Sequence, residues 1–159
     1  PILVHLLGEI DDINHKTRNK ITEIVLMVQY EVAKRIVADN TSKNKEYGLL
    51  SILSNFFADT KIIKKVGKRC FYPSPKVDSA LVKFKINKTP RVKITPNLKQ
   101  TIKAAFSMRR KNIKNCLNAA GFINVVEALE KCGINPNLRG ENLSYEDFYK
   151  LSLELKREN

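Results

Sequence analysis

The residues best suited to chemistry lie in one short run, Phe71-Tyr72-Pro73-Ser74-Pro75-Lys76-Val77-Asp78-Ser79-Ala80-Leu81-Val82. Each proline locks its own φ and restrains the residue before it, so two prolines separated by one residue predict a stiff, extended loop. An aromatic pair on such a loop is held out without help from a helix. A stacking platform for a nucleobase requires that, with roughly 1–3 kcal/mol for each stacked base. Lys76 adds a cation suited to a nearby phosphate. The same residues also fit a structural reading, in which Phe71 caps the core and the prolines only turn the chain.

A second run, Ala104-Ala105-Phe106-Ser107-Met108-Arg109-Arg110-Lys111-Asn112-Ile113-Lys114-Asn115-Cys116-Leu117, holds three consecutive bases. On a helix those bases point around most of the circumference, so one intramolecular salt bridge cannot use them all. Helical spacing predicts Arg110 and Lys114 on one face with Lys103 and Ser107, and an apolar docking face of Phe106, Ile113 and Leu117. A charge run is often only a solvated face, but no acid occurs from residue 79 to residue 126. Arg109, Arg110, Lys111 and Lys114 are therefore candidate phosphate contacts. Lys61, Lys64, Lys65, Lys68 and Arg69 form a second candidate surface.

Charge over the whole chain points the same way. Residues 60–126 contain 17 Lys or Arg and a single acid, Asp78, whereas the other 92 residues carry 12 bases and 15 acids. So one-sided a surface repels itself unless a polyanion neutralises it, with nucleic acid the first candidate and an anionic membrane the second. No apolar run approaches the roughly 20 residues of a membrane-spanning helix, and no secretory signal is recognisable. Cys70, Cys116 and Cys132 are odd in number and widely spaced, which suits neither a disulfide framework nor a zinc site. They read as reduced thiols of a cytoplasmic protein, and His5 and His15 as ordinary residues, so no metal is expected.

Positioning these groups falls to a mixed α/β part over residues 1–88 and a small all-helical part over residues 91–159. Residues 1–7 suit the end of a helix stopped by Gly8, and the apolar start at Pro1 reads as the middle of something longer. Residues 11–20 are a polar loop. The apolar run at residues 24–28 predicts a strand buried on both faces of a sheet, followed by a helix over 31–38 and another over 47–58. Residues 61–66 suit a charged edge strand, and residues 79–86 alternate as a half-exposed strand does. Helical patterns then cover 97–119, broken near Ser107, 124–131 and 144–156, the last opening on a capping box of Ser144 and Asp147.

At the two chemically loaded runs the chain resembles the rRNA adenine-N6 dimethyltransferases, the KsgA type that acts on small-subunit rRNA, and the likeness extends over nearly its whole length. Met27-Val28-Gln29 with Glu31-Val32-Ala33-Lys34-Arg35-Ile36-Val37-Ala38 is similar to the family's late strand and following helix, and Tyr47-Gly48-Leu49-Leu50-Ser51 to its next helix start. Residues 71–82 resemble its post-catalytic aromatic motif. Ala105-Phe106 with Arg109-Arg110-Lys111 resembles a motif of its C-terminal domain, and Gly133-Ile134-Asn135-Pro136 through Arg139, Glu141 and Asn142 its last loop. Tyr30 stands where the family commonly has Lys, which reads as a minor surface change.

The resemblance implies the C-terminal half of a Rossmann-like methyltransferase sheet followed by a helical rRNA-binding domain. It implies S-adenosylmethionine as methyl donor, small-subunit rRNA as partner, and Phe71 as a wall that stacks on the extruded adenine. The family's glycine-rich donor loop, its acidic ribose partner and its Asn-Leu-Pro-Tyr motif have no counterpart here. The donor is therefore expected to bind an N-terminal half, and the 159 residues alone are expected to be inactive. Two other readings stay open: a non-catalytic RNA- or ribosome-binding factor, and a DNA-binding helical protein, which would leave the α/β part unexplained.

Overall fold

The computed structural model describes residues 2–41 and 46–157. The chain divides into two units, Pro1–Pro90 and Arg91–Asn159.

The first unit is built on a three-stranded antiparallel sheet. Helix α1 (Ile2–Leu7) ends at Gly8, whose φ of 77° allows its N–H to donate to the Val4 carbonyl. Strand β1 (Glu23–Gln29) leads into helix α2 (Tyr30–Val37), then helix α3 (Leu49–Asn55), strand β2 (Ala58–Val66) and strand β3 (Ser79–Ile86). β3 lies between the other two, so the order is β1-β3-β2. Ile24, Phe84 and Thr60 share one cross-strand row and Leu26, Val82 and Ile62 the next. This face packs on Leu7, Ala33 and Ile36 to form the core.

Two expectations are corrected in this unit. The strand over residues 24–28 is not buried on both faces: Val25 and Met27 are 52% and 53% exposed. In antiparallel pairing successive side chains alternate, and only one face meets α2 and the core. Among the described residues the outer edge of β1 pairs with no strand. The helix expected over 47–58 is shorter at both ends. Gly48 N–H donates to Ser51 Oγ before its first turn, and beyond Asn55 the chain turns through the paired rings of Phe56 and Phe57 into β2. The alternation expected over residues 79–86 holds in β3, with Ala80, Val82 and Phe84 fully buried. β2 is the charged edge, and a bulge between Ile62 and Lys64 interrupts its register.

Arg18 ties down the loop before β1. The residue is 3% exposed, and its guanidinium donates to the carbonyls of Leu7 (2.5 Å), Asp12 (2.6 Å) and Ile13 (2.7 Å) and lies 3.6 Å above the Phe57 ring. Burial lowers its pKa, partly offset by the charge of Asp12.

The second unit packs helices α4 (Leu98–Ala105), α5 (Ile113–Ala119), α6 (Val125–Lys131) and α7 (Tyr145–Glu154) around Ile102, Ile113, Leu117, Leu129, Phe148 and Leu151. Ser144 Oγ accepts from Asp147 N–H while Asp147 Oδ2 accepts from Ser144 N–H, the reciprocal capping box read from the sequence. The break near Ser107 is wider than its sequence suggests: residues 106–112 are a turn, not helix. Arg109, Arg110 and Lys111 thus do not sit on a helix, and Arg110 does not share a helical face with Lys114. The cause is local and tertiary. Ser107 donates to the Ala104 carbonyl through both N–H and Oγ, Asn112 caps α5 by accepting from Asn115 N–H, and the Ala105 carbonyl is pressed against Gly140.

Candidate nucleic-acid interface

In the first unit the loop that follows β2 is knotted by the one acid of the basic stretch. A 3-10 turn (Lys68–Cys70) ends at Phe71, whose N–H donates to the Lys68 carbonyl. Asp78 Oδ1 accepts from Lys68 N–H at 3.0 Å, Oδ2 meets the Lys65 ammonium at 3.0 Å, and the Asp78 carbonyl accepts from Tyr30 N–H at 2.9 Å. Ser74 Oγ donates to the Lys68 carbonyl at 2.9 Å. The Lys65 hydrogen bond, then that from Lys68 N–H, holds the Asp78 carboxyl below the ordinary aspartate range. Both ends of the aromatic loop are therefore pinned by polar bonds as well as by its prolines.

The loop presents the two rings differently. Phe71 is half-buried, while Tyr72 is fully exposed. Sequence reasoning singled out Phe71 and passed over Tyr72; the signal was only their adjacency. Lys76 is exposed and lines a cleft of about 520 Å³ with Gln29, Tyr30, Lys34, Lys68 and Asp78. That cleft was not foreseen, and it corrects the reading of Tyr30 as a minor surface change. Tyr30 is half-buried, with the Lys65 ammonium 4.6 Å and the Lys34 ammonium 5.7 Å from its ring centroid.

In the second unit Arg109, Arg110 and Lys111 are exposed on the α4–α5 turn, and Lys114 is half-buried in the first turn of α5. Their side chains make no ion pair among the described residues. The segment that holds the turn is the one read as the last loop: Ile113 N–H donates to the Leu138 carbonyl at 2.6 Å, and Gly140 packs under Ala105. Phe106 is anchored against Phe148, ring centroids 6.0 Å apart. The structure thus places Lys76 and Lys68 on the lining of one cleft, and the bases 109–111 on the turn that leads into Lys114, each group within its own unit.

Among the described residues no group of three or more His, Cys, Asp or Glu is placed to hold a metal ion, and no helix is long and apolar enough to cross a membrane. All three cysteines are free: Cys70 is exposed, Cys116 buried and Cys132 between the two. Burial pushes the Cys116 and Cys132 thiols up, so both stay protonated at neutral pH.

Residues 1–157 match the model of a family described as ribosomal RNA adenine dimethylase. The protein named ribosomal RNA small subunit methyltransferase A from Moorella thermoacetica is 38% identical over 160 residues, covering 98% of this chain and 52% of that protein. Its namesake from Clostridium botulinum is 38% identical over 156 residues, covering 96% and 53%. The chain spans about half the length of the curated relatives it matches. Among solved structures, a dimethyladenosine transferase from Plasmodium falciparum superposes with a TM-score of 0.70 at 25% identity, covering 84% of this chain and 57% of that one. The 23S rRNA methyltransferase ErmE shares the fold, with a TM-score of 0.56 at 21% identity over 90% of this chain and 57% of its own.

Proposed function

The chain belongs to the ribosomal RNA adenine dimethylase family, and on that premise we propose that it is the RNA-facing part of an enzyme that dimethylates adenine N6 atoms in small-subunit rRNA. The observation that carries this reading is the family match over residues 1–157, which takes in both the aromatic loop and the basic turn. Residues 1–88 would complete the Rossmann-like methyltransferase domain, residues 91–159 would form the helical rRNA-binding domain, and the protein would work in the cytoplasm on the small ribosomal subunit.

In this reading Phe71 is the wall against which the extruded adenine stacks. Extrusion costs a few kcal/mol, which stacking on a pinned ring partly offsets. A half-buried ring on a loop held at Asp78 and Ser74 keeps its orientation without spending side-chain entropy on binding. Lys76, Arg109, Arg110, Lys111 and Lys114 hold RNA phosphates, which fixes register without reading sequence.

The described residues do not fit S-adenosylmethionine, the donor this reaction requires. A donor of that kind needs a glycine where the backbone approaches it and a carboxylate for its ribose. Here the glycines with positive φ are Gly8, Gly121 and Gly133, each at the end of a helix, and the apolar pocket lined by Leu26, Val28, Val32 and Leu50 offers no carboxylate. The 159 residues alone are therefore expected to show neither methyl transfer nor a calorimetric signal with it.

Testing Phe71 in the full-length enzyme separates the two roles of the loop. Phe71→Ala is expected to lower methylation of unmethylated small subunits far more than it lowers RNA affinity, because stacking counts once the base has left the helix. Equal losses in both, or an unfolded variant, would return Phe71 to the core.

A further inference from the structure

We propose that the cleft between the end of β1, the first turn of α2 and residues 68–78 is a nucleotide subsite, with the phosphate between Lys68 and Lys76 and the base along Tyr30 and Gln29. The inference rests on the RNA-binding reading and deepens it: it joins Lys76 of the aromatic loop to Lys68, Gln29 and Tyr30 in one site for a nucleotide.

The charges of the cleft make the first part of the case. Its acids are already engaged: Glu46 with the Lys34 ammonium at 2.7 Å, Glu31 with Arg35, and Asp78 with Lys65 and the Lys68 N–H. Lys68 and Lys76 are exposed, and their ammonium groups form no ion pair among the described residues. The cleft therefore presents two unpaired cations against neutralised carboxylates, which suits an anion.

Its walls narrow the class of anion. At about 520 Å³ the cleft exceeds what a bare phosphate fills and falls in the roughly 300–1,000 Å³ range of sites for small organic ligands. Tyr30 supplies an aromatic ring and Val77 an apolar side, while the exposed Gln29 carries an amide able to donate and to accept. Phosphate, planar ring and hydrogen-bonding edge together describe a nucleotide. The geometry is also fixed in advance, because Asp78 bonds to β2 through Lys65, to the 3-10 turn through Lys68 N–H, and to α2 through Tyr30 N–H.

The test is a titration of the isotopically labelled 159-residue chain, read residue by residue by NMR, with AMP, ribose 5-phosphate, inorganic phosphate and a short single-stranded oligoribonucleotide. Shifts are expected to converge on Gln29, Tyr30, Lys68, Lys76 and Val77. AMP is expected to bind roughly fivefold or more tightly than ribose 5-phosphate, which lacks the stacking base. An oligonucleotide that binds more tightly than AMP identifies a unit of an RNA strand as the occupant, and equal affinity identifies a free nucleotide. Replacing both Lys68→Ala and Lys76→Ala should reduce the slope of log affinity against log salt for the oligonucleotide by about 1.4, at roughly 0.7 for each phosphate of a single strand.

Three results would overturn the proposal: silence in the cleft while the oligonucleotide binds elsewhere, inorganic phosphate binding as tightly as AMP, or an unchanged salt slope in the double variant. The first of these leaves the RNA-binding reading intact. AMP in the cleft with no RNA binding at all would instead sink that reading and keep the site.

Discussion

Single residues in this chain do work that their neighbours in sequence do not announce. Arg18 serves carbonyls, not acids, so no i,i+4 pattern marks it, and it reads in the sequence as one more loop cation. Arg18→Met leaves those carbonyls without their donor, at about 1–3 kcal/mol for each that stays dry. With two of them only partly buried, a loss of about 2–4 kcal/mol in chemical denaturation is expected. Arg18→Lys should recover little, since one ammonium cannot span the three carbonyls or lie flat on Phe57. Asp78 is the converse case, a residue the sequence marks as the lone acid among 17 bases without saying what it does. Its depressed pKa favours the folded state above the ordinary aspartate range, and that contribution is lost as pH falls through the lowered value. Resonances of residues 68–78 should therefore keep their native positions to a pH below that at which a free aspartate protonates. Uniform loosening at the ordinary aspartate pKa would show that the knot does not hold the loop.

At the scale of elements, the punctuation was legible and the long-range closures were not. Gly8 and the Ser144–Asp147 box state local rules, and the structure obeys them. The turn at 106–112 was harder to read because Arg, Lys and Met are good helix formers, so propensity carries a helix straight through it. What stops α4 includes an approach from more than 30 residues away: a Cβ on Gly140 would lie 2.5 Å from the Ala105 carbonyl oxygen. Gly140→Ala is therefore expected to cost about 1–3 kcal/mol by overpacking and to displace the basic turn. A thermal melt unchanged from the parent chain would contradict this. The turn itself carries exposed cations that are not held by acids, so replacing Arg109, Arg110 and Lys111 together by alanine should leave stability nearly unaltered. The same change should lower the salt slope of binding to structured RNA by about 0.7–0.9 for each phosphate no longer neutralised. An unchanged slope would move the RNA to Lys61, Lys64, Lys65, Lys68 and Arg69.

For the molecule as a whole, composition spoke most clearly through where the charge falls. A net charge of +13, with its bases concentrated in residues 60–126, points to a polyanion without reference to any element. The same composition could not disclose the cleft at Tyr30, which joins residues 29–34 to residues 68–78 across the sheet, nor that Val25 and Met27 face outward. Those two residues give the sheet a polarity of another kind. Its β2 edge is guarded: Lys61, Lys64 and Lys65 lie along it and a bulge breaks its register. Its β1 edge has no bulge in its pairing with β3, and among the described residues no strand covers its outer side. Any further strand, whether a peptide or a second copy, can therefore be templated on one side only. At high concentration the 159-residue chain should associate by that route, and Met27→Lys should suppress the light scattering while a change at Lys64 leaves it alone. The sheet has one end at which it can grow.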